Sequence, residues 1–158
     1  MRSATIASVL AALAVAAVSN SCGGDPEQPE AQIRRVLGTM EEAVERGDVS
    51  GFKEHISERY ADDYGNDRRE LMATVTFHVM RNGRRHAWLR IRQVDVREPS
   101  RAEVSLAAGL AGRPVRGPKD LAGLRADVYA VDLDLEREGQ DWRVVWARWR
   151  RAPATDLL

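Results

Sequence analysis

Few side chains in this sequence combine a reactive type with a spacing that could do chemistry. Asp132 and Asp134 stand two apart in an alternating apolar run, so on a strand both carboxylates point to one face. Were that face the wall of an enclosed cavity, the two would share a proton and titrate as a pair, and a buried member would serve as a general base. The plainer account makes Tyr129, Val131, Leu133 and Leu135 the core face and leaves both carboxylates in solvent. His78 falls seven residues after Leu71, near an apolar helical stripe, and a reference pKa near neutrality suits it to the same role. A histidine at the edge of such a stripe is more often packed or half-exposed. Tyr60 completes the weak catalytic set, with His55 and His86 behind it. Asp62, Asp63, Asn66 and Asp67 form an acidic run without the glycine and glutamate spacing of an EF-hand loop. No zinc motif, P-loop or nucleophile elbow is present, so neither a metal nor a cofactor is expected.

Four tryptophans offer recognition instead of catalysis. On a regular last strand Trp142 and Trp146 share one face and Trp149 takes the other. Trp88, Trp142 and Trp146 are the ligand-binding candidates, lining a cavity or a dimer face where tryptophan is enriched, with core filling as the plainer alternative. Arg143, Arg148, Arg150 and Arg151 give the last strand a basic end. With Arg90, Arg92 and Arg97 they are placed to meet an anionic ligand or phospholipid headgroups, or to pair with neighbouring acids.

Cys22 is the single cysteine, which excludes an internal disulfide and lacks the company of a metal site. Its position carries its meaning. Arg2 precedes an uncharged, mostly apolar run from Ala4 to Val18, the length of a signal h-region and short for a membrane span. Ser19-Asn20-Ser21 then leads to the cysteine. Small residues before a cysteine at this place resemble the bacterial lipobox, although Ser19 stands where that pattern has an aliphatic residue. The resemblance implies that residues 1–21 are removed as a lipoprotein signal peptide. Cys22 would then be lipidated and begin the mature chain, with residues 22–29 as a polar tether. Ordinary signal cleavage near Ala16 or Ala17, or after Ser21, and an uncleaved anchor are the competing accounts. Several acyl chains would hold the protein firmly where one holds it marginally. Gly23, rather than aspartate, follows the cysteine, which in that resemblance points to an outer membrane facing the periplasm.

The remaining length suits one domain, with residues 153–158 as a tail. Basic and acidic side chains balance at 24 each, and no element carries a basic excess of the kind nucleic-acid binders show, so that class is set aside. Lys53 and Lys119 are the only lysines, an arginine bias that fits a GC-rich genome.

The elements that would position these groups follow from periodicity. Ile33, Val36, Leu37, Met40, Ala43 and Val44 recur at helical steps, and Gly47 is a natural stop. Asp48 suits an N-cap for a short second helix with Val49, Phe52 and Ile56 on one face. Residues 60–65 read as a loop. Asp67 and Glu70 form a capping box before a third helix through Met80, ended by Gly83. Alternating Val75, Phe77 and Val79 before Asn82-Gly83 is the rival hairpin reading. Four strands follow, around residues 88–96, 102–108, 129–136 and 142–149. Residues 113–119 form a loop and a helical turn is expected near 120–124. Short connections make the strands antiparallel, and three helices on one face of such a sheet define an α+β domain over residues 30–152.

This order resembles the nuclear transport factor two-like superfamily, the SnoaL-like or cystatin-like cone. The resemblance rests on the opening helix, on the Ala43-x-x-x-Gly47-Asp48-x-x-x-Phe52 hinge, on Ser57-x-x-Tyr60, and on the hairpin from Val131 through Gly139-Gln140 to Val145. It implies a curved sheet wrapped on a long helix around a cone-shaped cavity. That cavity serves isomerases, dehydratases and hydrolases, binding modules and dimers alike, so fold does not select function. Three expectations stand: a membrane-tethered module binding a small apolar ligand or a protein; a cone-type enzyme using His78, Asp132 or Tyr60; and a homodimeric structural module.

Overall fold

A computed structural model describes residues 27–81, 86–111 and 127–153. The leader, Cys22, most of the tether, the Asn82-Gly83 signal, the 113–119 loop and the turn near 120–124 lie outside them. The described chain runs α1 (Pro29–Arg46), α2 (Val49–Glu54), β1 (Ile56–Asp62), α3 (Arg68–Arg81), β2 (His86–Glu98), β3 (Arg101–Ala111), β4 (Asp127–Glu138) and β5 (Asp141–Arg151).

Pro29 opens α1 at a position where its missing N–H costs nothing. Ile33, Leu37, Met40 and Ala43 form its buried stripe. Gly47 closes the helix with φ 72°, a conformation that L side chains avoid. Its N–H donates to the Val44 carbonyl and the Asp48 N–H to that of Ala43, at 3.1 and 2.8 Å, the paired bonds of a Schellman motif. Asp48 then caps α2, its Oδ1 accepting the Gly51 N–H at 2.9 Å. The hinge read from the sequence is therefore two caps sharing adjacent residues.

Two expectations fail directly after it. Ile56 opens a strand instead of closing the face of α2, and residues 60–62 belong to that strand instead of a loop. β1 lies parallel to β5, with Ile56 opposite Val144 and Ala61 opposite Trp146. A partner some ninety residues away leaves no local trace, and the pairing overrides the helical spacing of Ile56. The sheet thus has five strands, ordered β1-β5-β4-β3-β2, where four were expected, and all other neighbours are antiparallel.

At α3 the helical reading holds. The Asp67 N–H donates to Glu70 Oε2 and the Glu70 N–H to Asp67 Oδ1, each at 2.9 Å, so both arms of the capping box form.

The α1 stripe packs on one sheet face with Ile56, Tyr60, Val104, Leu106, Leu133, Leu135, Trp142 and Val144. Glu41 on α1 also accepts the Leu89 N–H of edge strand β2 at 2.8 Å. One irregularity decides which tryptophans join this core. Leu135 pairs with Val144 but Asp134 pairs with Trp146, so Val145 is an extra residue in β5. A one-residue bulge reverses the faces beyond it. Trp142 and Trp149 therefore both belong to the core side, and Trp146 faces the other way, contrary to the regular-strand expectation.

Candidate functional site

A concavity of about 540 Å³ lies over Trp142. Three segments build it. The first turns of α1 contribute Gln32, Arg35, Val36 and Thr39; the end of α2 contributes Glu54 and His55; the β4–β5 hairpin contributes Arg137, Gln140, Asp141 and Arg143. Gly139, at φ 66°, makes the tight hairpin turn that sets Arg137 opposite Trp142. Trp142 is fully buried and forms the floor, its indole N–H donating to Gln32 Oε1 at 3.1 Å.

The rim carries three guanidinium groups, and their pairing differs. Arg35 pairs with Glu27. Arg143 approaches Glu138 at 3.5 Å and Asp141 at 3.9 Å. Arg137 has no carboxylate partner among the described residues, and its head is held by Gln140 Oε1 at 3.3 Å. The Nε atoms of Arg137 and Arg143 are both buried without a hydrogen-bond partner. Burial pushes His55 below its usual pKa, with Arg143 acting in the same direction and Glu54 and Asp141 opposing it. At neutral pH it is an uncharged donor and acceptor. The groove can therefore supply planar, bidentate donors to an oxyanion.

The residues expected to do chemistry are dispersed. His78 is exposed on α3, edge-on to Phe77 at 5.7 Å. Asp132 lies on the sheet face away from α1, accepting from Ser105 Oγ and from Arg148 Nη2, each at 2.9 Å. The Arg148 bond holds its pKa below the usual carboxylate range, with the Ser105 bond adding to it, which makes it a poor base. Asp134 moves the other way, raised by partial burial and by the charges of Glu103, Asp132 and Glu136. Tyr60 is buried in the core with a hydroxyl that makes no hydrogen bond. Burial and the nearby Asp62 carboxylate push its phenol well above the usual value. Asp62 is itself committed, accepting from the Tyr64 N–H and from the backbone and side-chain amide of Asn66.

Of the ligand candidates, Trp142 alone borders the groove. Trp146 lies under the Arg148 guanidinium, 5.8 Å from its ring centre, and Trp88 is half-buried on β2, facing away from core-packed Leu89. The expected arginine group likewise divides. Arg143 is at the groove, Arg148 is with Asp132, and Arg97 is with Asp95 and Glu103. Among the described residues no three metal-ligating side chains cluster. Arg35, His55, Arg137 and Gln140 were not singled out as a group, because they come from separate segments and no local motif joins them.

No protein-family model and no curated protein matches this sequence. Solved structures do match. The chain superposes on an NTF-2 like protein of unknown function from Shewanella oneidensis with a TM-score of 0.61 at 16% identity, covering 77% of this chain and 98% of that one. The fold is the nuclear transport factor two-like cone. A candidate dehydratase of the NTF2-like family from Streptomyces avermitilis gives 0.62 at 14% identity over 81% and 99% of the two chains. Bd1075 from Bdellovibrio bacteriovorus gives 0.63 at 10% identity; 77% of this chain is matched, spanning 41% of that longer one. At such identities the cone is shared and its chemistry is not thereby shared.

Proposed function

We propose that this chain is an exported lipoprotein, tethered through Cys22 at the cell envelope, whose cone domain is a non-enzymatic binding module using the groove over Trp142. The observation that carries the binding reading is the placement of unpaired donor capacity, at Arg137 and Arg143, around a concavity of about 540 Å³. The leader from Arg2 to Ser21 and the position of Cys22 support the tether. An outer membrane, on its periplasmic side, is the proposed location.

Two measurements test this. Mass spectrometry of the mature N-terminus should find acylated Cys22, and globomycin should accumulate the precursor; an unmodified terminus at another residue rejects the anchor. Native mass spectrometry of the protein purified from its host should find a bound small molecule that the Arg137→Gln variant loses. Retention of that ligand in the variant rejects the groove as its seat.

A second reading, a cone-fold isomerase, dehydratase or hydrolase, draws on one observation. The buried Tyr60 hydroxyl lacks a partner, as a group awaiting a substrate oxygen would. A Tyr60→Phe variant that keeps ligand capture intact favours the binding module.

A further inference from the structure

We infer that the groove over Trp142 is a seat for a phosphate-ester group presented at the membrane surface. This rests on the reading of that groove as the ligand site. Gln32, Arg35 and Val36 lie in the first half of α1, the half that follows the tether, and Thr39 lies just past the middle of the helix. Six residue-to-residue steps lead from Cys22 to Gln28, a reach of about 20 Å at roughly 3.3–3.6 Å per step. With Cys22 lipidated, a tether of this length lets the groove reach the headgroup layer.

The chemistry of the lining selects the group. Arg137 makes no ion pair among the described residues, its head being held by Gln140, and Arg143 is only loosely held by Glu138 and Asp141. Both leave an Nε–H buried and unbonded. Buried donors without partners are unfavourable, and a modest turn of either side chain onto a tetrahedral oxyanion would satisfy them in pairs. Glu54 and Asp141 on the same rim disfavour a deep, many-charged anion, so a single phosphate ester fits better than a polyphosphate. Gln32, Thr39 and Gln140 add neutral polar groups for the alcohol part of such a headgroup. Basic pockets close to a membrane are suited to this use.

The test uses the full lipidated protein in nonionic detergent, labelled with nitrogen-15 at tryptophan only, so that each indole N–H reports separately. The Trp142 signal is assigned by Trp142→Phe. Water-soluble short-chain phosphatidylglycerol, the corresponding diacylglycerol and inorganic phosphate are titrated separately. The expected result is a saturable shift of Trp142 with phosphatidylglycerol and none of Trp146 on the opposite sheet face. Arg137→Gln should weaken that binding about tenfold or more, because charge-assisted bonds are roughly twice as strong as neutral ones. Arg46→Gln, at the far end of α1, should leave it unchanged. Saturation by inorganic phosphate alone supports the seat and assigns it to free phosphate. An equal response to uncharged diacylglycerol keeps the groove as a ligand site and overturns the phosphate assignment. No Trp142 shift with any probe, while the indole signals stay dispersed as in a folded protein, overturns both.

Discussion

The Trp142 indole N–H donates to Gln32 Oε1 across 3.1 Å, joining the last strand to the first helix at the floor of the groove. This bond closes the domain between elements at opposite ends of the chain, and it fixes the indole orientation that shapes the concavity. Trp142→Ala should destabilise the fold by about 3–5 kcal/mol, as expected for a large aromatic removed from a core. Gln32→Leu, which strands a buried N–H, should cost about 1 kcal/mol or somewhat more. Urea denaturation followed by circular dichroism measures both. A Gln32→Leu protein as stable as the wild type would show that the bond contributes nothing.

The hinge makes a prediction of sign. A Cβ added at Gly51 would lie 2.5 Å from Asp48 Oδ2, so Gly51→Ala must displace the carboxylate that caps α2, at up to about 1 kcal/mol. In an Asp48→Ala background that clash is gone. Gly51→Ala should then stabilise by a few tenths to about 1 kcal/mol through helix propensity alone. Gly47→Ala, forced into φ 72°, should cost about 1–2 kcal/mol in either background. Thermal unfolding of the four combinations decides; the same sign for Gly51→Ala in both backgrounds contradicts the cap geometry.

Glu138 predicts an acid-labile contribution. The Ser57 hydroxyl donates to it at 2.6 Å, and Arg59 Nη2 at 3.0 Å. These bonds, the Ser57 bond first, hold its pKa below the ordinary 4.5. The unfolded chain therefore takes up this proton first as pH falls. The stabilisation is complete above about pH 4.5 and disappears as pH drops through the lower folded value. Glu138→Gln should lower the melting temperature at pH 7 and converge on the wild type in acid. Parallel curves across the whole pH range would remove Glu138 from the acid transition.

Tyr60→Phe should leave stability unchanged or raise it. Its hydroxyl is buried without a partner, and removing an unsatisfied polar group eliminates a desolvation cost without losing a bond. A loss above about 1 kcal/mol in chemical denaturation would mean that the hydroxyl is bonded in solution.

Much of the architecture was legible because its determinants are local. The α1 stripe, the Gly47-Asp48 hinge, the Asp67–Glu70 capping box and the Gly139-Gln140 turn each combine side chains within a few residues of one another, and all are present in the structure. β1 was missed because its strand character comes from β5, and residues 56–62 carry no alternation strong enough to announce it.

The sequence alone determined the helical caps, the apolar stripe of α1 and the order of the elements other than β1, since these depend on backbone preference and on spacing along one chain. It also holds the apolar run before Cys22 on which the proposed tether rests. Tertiary structure alone decided the rest. The extra residue at Val145 turned Trp146 away from Trp142, because a strand has a side-chain period of two and one inserted residue reverses every face beyond it. Packing α1 and α2 against the β4–β5 hairpin brought Arg35, His55, Arg137 and Gln140 around one concavity. Proximity between distant segments is a property of how surfaces bury one another, and no single segment encodes it.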